Sequence, residues 1–320
     1  MPTVLHIYLH SAQPAMHPLL LPLQAQMQLP SPLQMHTVGI GTNPRQTIWV
    51  KHEEAIHPQV AGNKWRKLAP HLQAALSQNA TSLATYGGPY SQHLLAVAWC
   101  ANALKLPSTG YVRGEIGNRP TPLLACCLGL GMQLCGLPRA GFAQHALAAS
   151  GLDGQGCYRI PLGGASPQSA LAYGQSLWAE LQGPIAQAGI TQIWVSAGTG
   201  TSAAGLWQAA GGTVPLHVVP AYKPSATFWA DMARLTSGKL QGPTPAFRLN
   251  GQLPYTRFGK PNPALQTLAD EVQAQTGLCL EPVYEQRLFA EALAAPGTGK
   301  LIIHNGHPNQ GDFMTSTNQA

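Results

Sequence analysis

The stretch Ala61-Gly-Asn-Lys-Trp-Arg-Lys-Leu68 places a lysine directly after a Gly-Asn pair, where a helix is predicted to begin. The positive end of a helix dipole raises the free energy of a nearby ammonium group. The neutral amine, which is the form that attacks a carbonyl to make a Schiff base, therefore becomes easier to reach. A solvated basic turn formed by Lys64, Arg66 and Lys67 explains the same residues. The rest of the chain has to decide between these two interpretations.

The composition indicates a globular protein that carries few charges. Of the 320 residues, 45% are hydrophobic and only 9% are charged, against about 25% charged residues in typical soluble proteins. The net charge of +6 comes from 18 basic and 12 acidic residues. This density is too low for a nucleic-acid-binding face, which needs clustered lysine and arginine, so we expect no nucleic-acid partner. The length suffices for two domains, each with a buried core.

The cysteines and the N-terminal segment both favour a cytoplasmic protein. No Cys-x-x-Cys pair occurs, and most of the cysteines fall within apolar patterns, which predicts reduced, buried thiols. The six are Cys100, Cys126, Cys127, Cys135, Cys157 and Cys279. Residues 1–24 are interrupted by prolines at positions 14, 18 and 22 and lack both a basic leader and an Ala-x-Ala site. We therefore expect neither a signal peptide nor a membrane span.

From residue 47 onward, short apolar runs alternate with longer helical patterns. The predicted strands are residues 47–51, 82–86, 110–112, 132–135, 157–160, 192–196, 216–219 and 301–304. The longest predicted helix, residues 167–181, is expected to turn Leu171, Leu177 and Trp178 inward. Repeated βα units imply parallel sheets covered by helices, so the predicted fold class is α/β.

The stretch Ser196-Ala-Gly-Thr-Gly-Thr-Ser-Ala-Ala-Gly-Leu206 follows an apolar run and opens a predicted helix. Backbone N–H groups at the start of a helix bind phosphate, and Thr199, Thr201 and Ser202 add hydroxyl donors. The stretch lacks the Gly-Lys-Ser/Thr end of a P-loop and the glycine spacing of a dinucleotide site. It therefore predicts an anion site of another kind, and the alternative is a tight turn without a ligand.

The stretch Gly87-Gly-Pro-Tyr-Ser-Gln-His93 has the same form, with a glycine turn between a predicted strand and a predicted helix. Ser91 stands where a helix N-cap belongs, so its hydroxyl has a purely structural explanation. The functional interpretation is that the free N–H groups, together with Ser91 and Gln92, receive a substrate carboxylate. His93 fits either interpretation.

Two late stretches carry further polar side chains. In Val283-Tyr-Glu-Gln-Arg287, Glu285 suits the first turn of a helix because a carboxylate is favoured there, and Tyr284 has an ordinary packing role. His304-Asn-Gly-His307 follows the last predicted strand, at the end where parallel sheets gather ligand contacts. The chain has no His-Glu-x-x-His pattern, paired cysteine ligands or nucleophile elbow. We therefore expect no metal site, metalloprotease or serine hydrolase.

Together these segments resemble the pyridoxal-phosphate-dependent family of 1-aminocyclopropane-1-carboxylate deaminases and D-cysteine desulfhydrases. Five family motifs occur in the family's order, at residues 62–68, 87–93, 198–205, 280–284 and 303–306. The resemblance implies the tryptophan synthase β-like fold, called fold type II, with two three-layer α/β domains and the cofactor between them. Residues 1–52 and 164–320 would form the large cofactor-binding domain, and residues 53–163 a smaller inserted domain. The resemblance also implies a homodimer.

The resemblance implies which residues hold pyridoxal 5'-phosphate. Lys64 would carry the cofactor as a Schiff base and, once released, would move protons as a general base and acid. Glu285 would face the ring nitrogen, and Tyr284 would pack on the ring or act as an acid–base group. The phosphate would be held by Gly198, Thr199, Gly200, Thr201 and Ser202. Gln92 replaces the asparagine that supports the ring hydroxyl in the family.

The resemblance also implies a substrate class. Ser91, Gln92 and His93 would receive the carboxylate of a small amino acid, with Ser91 close to the reacting carbons. Family members of the deaminase type carry Tyr-Glu where this chain has Tyr284 and Glu285, whereas desulfhydrase-like members carry Tyr-Thr. We therefore expect a deaminase or lyase that releases ammonia and a 2-oxo acid.

Two alternatives stay open. The first is elimination from D-cysteine, which gives pyruvate, sulfide and ammonia. The second is a homologue that binds the cofactor and has lost catalysis. Gln92 favours this second alternative, as does Phe258, which occupies the place of an expected second tyrosine.

Overall fold

The structure of the chain is a computed structural model that describes residues 15–147, 151–224, 227–251, 253 and 262–306. In chain order, its strands are β1 (Leu33–Val38), β2 (Gln46–His52), β3 (Ser82–Gly87), β4 (Ser108–Arg113), β5 (Met132–Leu137), β6 (Gly151–Leu152), β7 (Cys157–Arg159), β8 (Gln192–Ala197), β9 (Leu216–Pro220), β10 (Phe247–Leu249) and β11 (Lys300–His304). Its α-helices are α1 (Leu21–Gln24), α2 (Lys64–Ser77), α3 (Gln92–Ala103), α4 (Pro122–Gly129), α5 (Phe142–Leu147), α6 (Pro167–Gln187), α7 (Thr201–Ala210), α8 (Phe228–Leu235), α9 (Pro263–Thr276) and α10 (Glu285–Ala294).

The strands form two sheets, both mostly parallel. The six-stranded sheet has the order β1-β2-β11-β8-β9-β10, and only its edge pair β1 and β2 is antiparallel. The five-stranded sheet has the order β5-β4-β3-β7-β6, and only its edge pair β6 and β7 is antiparallel. The predicted α/β class with mostly parallel sheets is confirmed.

Each face of the six-stranded sheet has its own core. Side chains alternate between the two faces of a strand, so on β8 Val195 packs toward α6 and α7 while Trp194 packs toward α9 and α10. A separate cluster, which includes Leu83, Leu94 and Val97, covers the five-stranded sheet. Two sheets with helices on their faces give the layered architecture.

The two sheets divide the chain in sequence as well. Strands of the six-stranded sheet lie before residue 53 or after residue 191, and those of the five-stranded sheet lie between residues 82 and 159. The predicted domain boundaries at residues 53 and 164 stay a prediction. Within the segment predicted to belong to the large domain, Leu20, Leu23 and Met27 pack in the hydrophobic cluster of the five-stranded sheet.

Several local predictions need correction. Leu171 was expected to point inward, but its side chain is 43% exposed, because the buried stripe of α6 runs through Tyr173, Leu177 and Leu181 at helical spacing. Buried thiols were expected throughout, but only Cys100 and Cys127 are buried, and all six cysteines are free. The three short or edge strands β1, β6 and β10 escaped the sequence prediction, since their apolar patterns are too brief or too mixed.

No helix in the described part of the chain is long and apolar enough to cross a membrane.

Candidate active site

Helix α2 begins at Lys64, and its first turn is tied to the start of α7. The N-cap residue Asn63 does not cap α2 with its side chain. Instead, Lys64 Nζ donates to Asn63 Oδ1 over 3.1 Å, and Asn63 Nδ2 donates to Ser202 Oγ over 3.0 Å. The amide of Asn63 therefore links the lysine amine to the glycine-rich turn, which lies 139 residues away in the sequence.

The amine of Lys64 is easier to deprotonate than an ordinary lysine. Burial lowers its pKa from 10.5 to about 8, although the nearby carboxylates of Glu281 and Glu285 oppose the shift. Desolvation disfavours the ammonium form, so the neutral nucleophilic amine is reached closer to neutral pH. The interpretation of this stretch as a solvated basic turn is wrong, since Arg66 and Lys67 are 3% and 6% exposed.

Gly62 brings the end of β11 next to this lysine turn. Its φ of +63° lies in the left-handed region that favours glycine. A side chain at this position would collide with the backbone carbonyl of Asn305, just beyond β11. The close approach therefore explains why a glycine precedes Asn63 and Lys64, and it joins two motifs that lie far apart in sequence.

The glycine-rich turn after β8 leaves backbone donors free. Gly200, with a φ of +77°, is the N-cap of α7, and no side chain caps that helix. The first N–H groups of a helix have no acceptor within the helix, and Thr201 and Ser202 are both buried. The hydroxyls of Thr199 and Thr201 are hydrogen-bonded to each other over 2.9 Å. Buried N–H groups at a helix start are suited to an anion such as a phosphate.

Lys67 is a second buried lysine on the same face of α2, where the sequence had suggested only a member of a solvated basic turn. Its pKa is held well below 10.5, first by burial and then by the positive charge of Lys64. Within the described residues no carboxylate forms a salt bridge with it. An unpaired ammonium group is costly to bury, so this side chain favours the binding of an anion. The signal that was available in sequence is its three-residue spacing from Lys64.

The start of α3 presents buried polar groups that lack partners. The Ser91 hydroxyl does not cap the helix, so the purely structural explanation of Ser91 is wrong. Within the described ranges, the Nε2 atom of Gln92 and the Nδ1 atom of His93 are buried without a hydrogen bond. His93 Nε2 pairs with Thr85 Oγ1 over 2.9 Å. Burial, followed by the charges of Lys67 and Lys64, keeps the pKa of His93 well below 6.5, so its imidazole is neutral.

Helix α10 begins over a buried carboxylate that the sequence analysis did not single out. Glu281 accepts hydrogen bonds from the backbone N–H groups of Val283, Tyr284 and Glu285 and so caps the helix. Burial and the neighbouring charge of Glu285 raise the pKa of Glu281 to about 7, against the opposing effect of those hydrogen bonds. Its position four residues before Glu285 was the available signal.

The two predicted residues at this helix start are both in the site. Glu285 is fully buried, and its Oε2 lies 2.8 Å from His304 Nδ1. The phenol of Tyr284 packs against Gly198 in the glycine-rich turn, and burial raises the pKa of Tyr284 well above 10. The structure thus joins the lysine turn, the glycine-rich turn after β8 and the start of α10. Phe258 and His307 lie outside the described residues.

The chain was compared with known protein sequences and solved structures. No protein-family model matches the chain. It is 27% identical to the D-cysteine desulfhydrase of Salmonella paratyphi A over 55% of this chain and 56% of that protein. It is 26% identical, over 81% of this chain and 84% of the other, to a Pyrococcus abyssi protein provisionally named as a 1-aminocyclopropane-1-carboxylate deaminase. The match to the desulfhydrase thus spans little more than half of that relative.

A solved structure shares the fold. It is described as a homologue of 1-aminocyclopropane-1-carboxylate deaminase and superposes with a TM-score of 0.66 at 21% identity, over 94% of this chain and 99% of the other. Two independent kinds of comparison therefore confirm the resemblance that the five motifs indicated, and with it the tryptophan synthase β-like fold.

Proposed function

We propose, from the premise that this chain is a homologue of the 1-aminocyclopropane-1-carboxylate deaminases and D-cysteine desulfhydrases, that it is a pyridoxal-phosphate-dependent deaminase or lyase of small amino acids. The products would be ammonia and a 2-oxo acid. The observation that carries this proposal is the hydrogen-bonded link from Lys64 through Asn63 to Ser202, because it couples a depressed-pKa amine to a buried anion site.

The residues present fit pyridoxal phosphate group by group. The glycine-rich turn and the first residues of α7, together residues 198–202, offer backbone N–H groups that could bind the phosphate. The Lys64 amine could form a Schiff base with the aldehyde. The buried carboxylate of Glu285 suits the ring nitrogen, since an opposite charge favours a protonated ring. The buried Nε2 atom of Gln92 lacks a partner and suits a polar substituent. When bound, the cofactor supplies an electron sink that stabilises negative charge on the substrate.

The side chain that moves protons in this proposal is Lys64. A general acid–base group works best when its pKa lies near the operating pH, and burial brings the pKa of Lys64 to about 8. Asn63 orients the amine through its Oδ1 atom and is itself held by Ser202. The lysine can therefore give up and take back a proton without leaving the turn.

The start of α3 is the proposed site for the substrate carboxylate. The Ser91 hydroxyl is not used by the helix, and the first N–H groups of α3 lack a side-chain cap. Lys67 and Lys64 add positive charge nearby, because both depress the pKa of His93. A small anionic substrate is favoured at such a place.

Glu285 supports a deaminase of the Tyr-Glu type over the Tyr-Thr type. Its carboxylate is fully buried and stands in the first turn of α10, where the helix dipole stabilises negative charge. A carboxylate keeps a ring nitrogen protonated more strongly than a hydroxyl does. The similarity to D-cysteine desulfhydrase keeps elimination from D-cysteine as the second candidate.

The proposal is tested by loading the purified protein with pyridoxal phosphate and adding 1-aminocyclopropane-1-carboxylate, D-cysteine, L-cysteine and D-serine separately. Ammonia, sulfide and oxo acid are measured for each. Ammonia and oxo acid without sulfide, from the cyclopropane substrate, support the deaminase, and sulfide from D-cysteine supports the second candidate. Cofactor binding without turnover of any substrate would indicate the non-catalytic homologue. A homodimer remains part of the proposal, to be checked by light scattering on the same sample.

A further inference from the structure

His304, at the end of β11, lies between two carboxylates, one on each ring nitrogen. Its Nδ1 atom is 2.8 Å from Glu285 Oε2, and its Nε2 atom is 3.9 Å from Glu54 Oε1. Glu54 is in turn 2.6 Å from His52 Nδ1. The contact with Glu285 is a hydrogen bond, whereas the contact with Glu54 is an ion-pair distance without a hydrogen bond. Negative charge on both sides of the ring favours the charged histidine.

The surroundings of His304 reinforce its charge and hold its ring. Burial opposes the charge, but Glu285, Glu54 and Glu281 together raise the pKa of His304 above its ordinary value of 6.5. The ring of Phe289 meets it edge-on at 5.8 Å. The centroid of the His52 ring lies 6.4 Å from that of His304, and the centroid of the His36 ring lies 5.8 Å from that of His52. The imidazole is 2% exposed, so its partners and its orientation are fixed.

Glu285 gains a defined orientation and a positive neighbour from this contact. Its Oε2 atom is hydrogen-bonded to His304, while its Oε1 atom, among the described residues, has a single long hydrogen bond of 3.4 Å from the N–H group of Asn305. The contact with His304 offsets the cost of burying the negative charge of the carboxylate and leaves the second oxygen with unused acceptor capacity within the described part of the chain.

We propose that His304 is a positioning residue that holds Glu285 ionised and in a single orientation toward the ring nitrogen of the cofactor, with Glu54 and His52 supporting it from outside. The inference rests on the proposed function, because it takes pyridoxal phosphate as the group that Glu285 serves. The ring of His304 lies 2.8 Å from the Glu285 carboxylate, closer than it would lie to a cofactor on the far side of that carboxylate. If the cofactor is bound there, a positive charge on His304 would favour a proton on the ring nitrogen over one on Glu285.

The first test uses the protein without cofactor. All 12 histidines are labelled with carbon-13 at Cε1 and titrated by NMR, and the signal lost in His304→Gln identifies His304. We expect His304 to remain charged above pH 6.5 in the wild type. Glu54→Gln leaves His304 and Glu285 in place and should move the titration of His304 to lower pH. Titration of His304 at or below 6.5 in the wild type would overturn the inference. Where His304→Gln fails to fold, the signal lost in His304→Asn identifies His304 instead.

The second test uses the loaded protein. Pyridoxal phosphate labelled with nitrogen-15 in its ring reports ring protonation through its chemical shift. We expect a protonated ring in the wild type and in the control His145→Gln, which changes an exposed histidine on α5. In His304→Gln and in Glu54→Gln the ring signal should move toward the unprotonated position.

The outcomes separate the two proposals. An unchanged ring signal in both variants overturns the positioning role of His304 and leaves the proposed function standing. Failure of the wild type to bind pyridoxal phosphate overturns the proposed function and, with it, the role given to His304 toward the ring.

Discussion

Helix α2 has two groups of buried charges beside it, which differ in whether their members are paired. In the first, here called the closed cluster and made of Lys51, Glu53, Arg66 and Glu180, two cations meet two carboxylates. Arg66 contacts both oxygens of Glu53 at 2.8 and 2.9 Å and both oxygens of Glu180 at 2.9 and 3.0 Å. Lys51 adds a contact of 2.6 Å to Glu180. Every charge in this cluster has an opposite neighbour within the protein.

The second group, here called the open cluster and made of Lys64, Lys67, Gln92 and His93, lacks that closure. The charge of Lys64 lowers the pKa of Lys67, and both lysines lower the pKa of His93. Among the described residues, one buried nitrogen of Gln92 and one of His93 have no hydrogen-bond partner. Buried polar groups are almost always satisfied, so a concentration of unsatisfied ones needs an explanation. A bound anion would supply it. We infer that the closed cluster stabilises the helix, whereas a ligand would complete the open cluster.

Lys64→Ala breaks the open cluster at its reactive atom and should have the largest effect on activity. We expect turnover of the substrate identified by the panel to fall about 10²–10⁴-fold or more, since the general base is removed. The free energy of unfolding should change by about 1 kcal/mol or less, because the lost hydrogen bond to Asn63 Oδ1 is offset by the removal of a buried, desolvated amine. Steady-state kinetics and urea denaturation measure the two quantities. A variant that keeps full turnover would contradict the role of Lys64.

Arg66→Met breaks the closed cluster and should have the opposite profile. Removing one partner of a buried ion pair leaves uncompensated charge, so the free energy of unfolding should drop by about 3–5 kcal/mol. The control is Arg234→Met, whose ion pair with Asp231 is more than 40% exposed and should change stability by about 1 kcal/mol or less. Urea denaturation compares them. Equal losses in the two variants would argue against a structural role for the closed cluster.

Glu281→Gln should change how the free energy of unfolding depends on pH. The folded-state pKa of Glu281 is raised from 4.5 to about 7, so the folded state holds its proton more tightly than the unfolded state. The stability it contributes is complete below pH 4.5 and is lost as pH rises through 7. The variant should abolish a loss of roughly 1–3 kcal/mol over that interval. Denaturation series at pH 4.5, 5.5, 6.5 and 7.5 measure the slope. The raised pKa of Glu281 would be contradicted if the free energy of unfolding of the wild type rose over this pH range and the variant showed the same pH dependence.

Lys67→Met should give the smallest effect. We expect it to leave the stability of the cofactor-free protein equal or higher and to weaken the binding of pyridoxal phosphate. Because its ammonium group has no ionic partner, its removal should leave the stability of the cofactor-free protein unchanged or higher. Pyridoxal phosphate should bind about tenfold more weakly, or about 1.4 kcal/mol. Equilibrium binding followed by absorbance, with the exposed Lys239→Met as control, measures this. Destabilisation as large as that of Arg66→Met would place Lys67 in a structural network instead.

Most strands and helices could be predicted from the sequence because they follow from local patterns of apolar residues. Strand β8 and helix α10 follow from apolar runs and a clear helix start, and α10 begins at Glu285, as expected. The short antiparallel edges β1 and β6 escaped prediction, since their pairing depends on neighbours that are distant in sequence or on very few residues. Leu171 was misjudged because the phase of α6 is set by its packing on α7.

Most residues of the candidate site were found from the sequence, but the contacts that connect them were not. Lys64 and the glycine-rich turn stood out by their local pattern, whereas the role of Glu285 came from the family resemblance and stays a prediction. The Asn63 link to Ser202 and the contact of Gly62 with Asn305 join segments more than 130 residues apart, and no local pattern encodes them. Glu281 and Lys67 were missed because a single charged residue reveals its burial only once the fold is known.

The most direct test of the account compares the buried lysines as nucleophiles. The protein is incubated with pyridoxal phosphate, reduced with sodium borohydride to make the lysine linkage permanent, and mapped by peptide mass spectrometry. We expect one modified residue, Lys64, with no stoichiometric label on Lys67 in the open cluster or on Lys51 in the closed cluster. Label on Lys67 or Lys51, or label spread over exposed lysines with Lys64 unmodified, would contradict it.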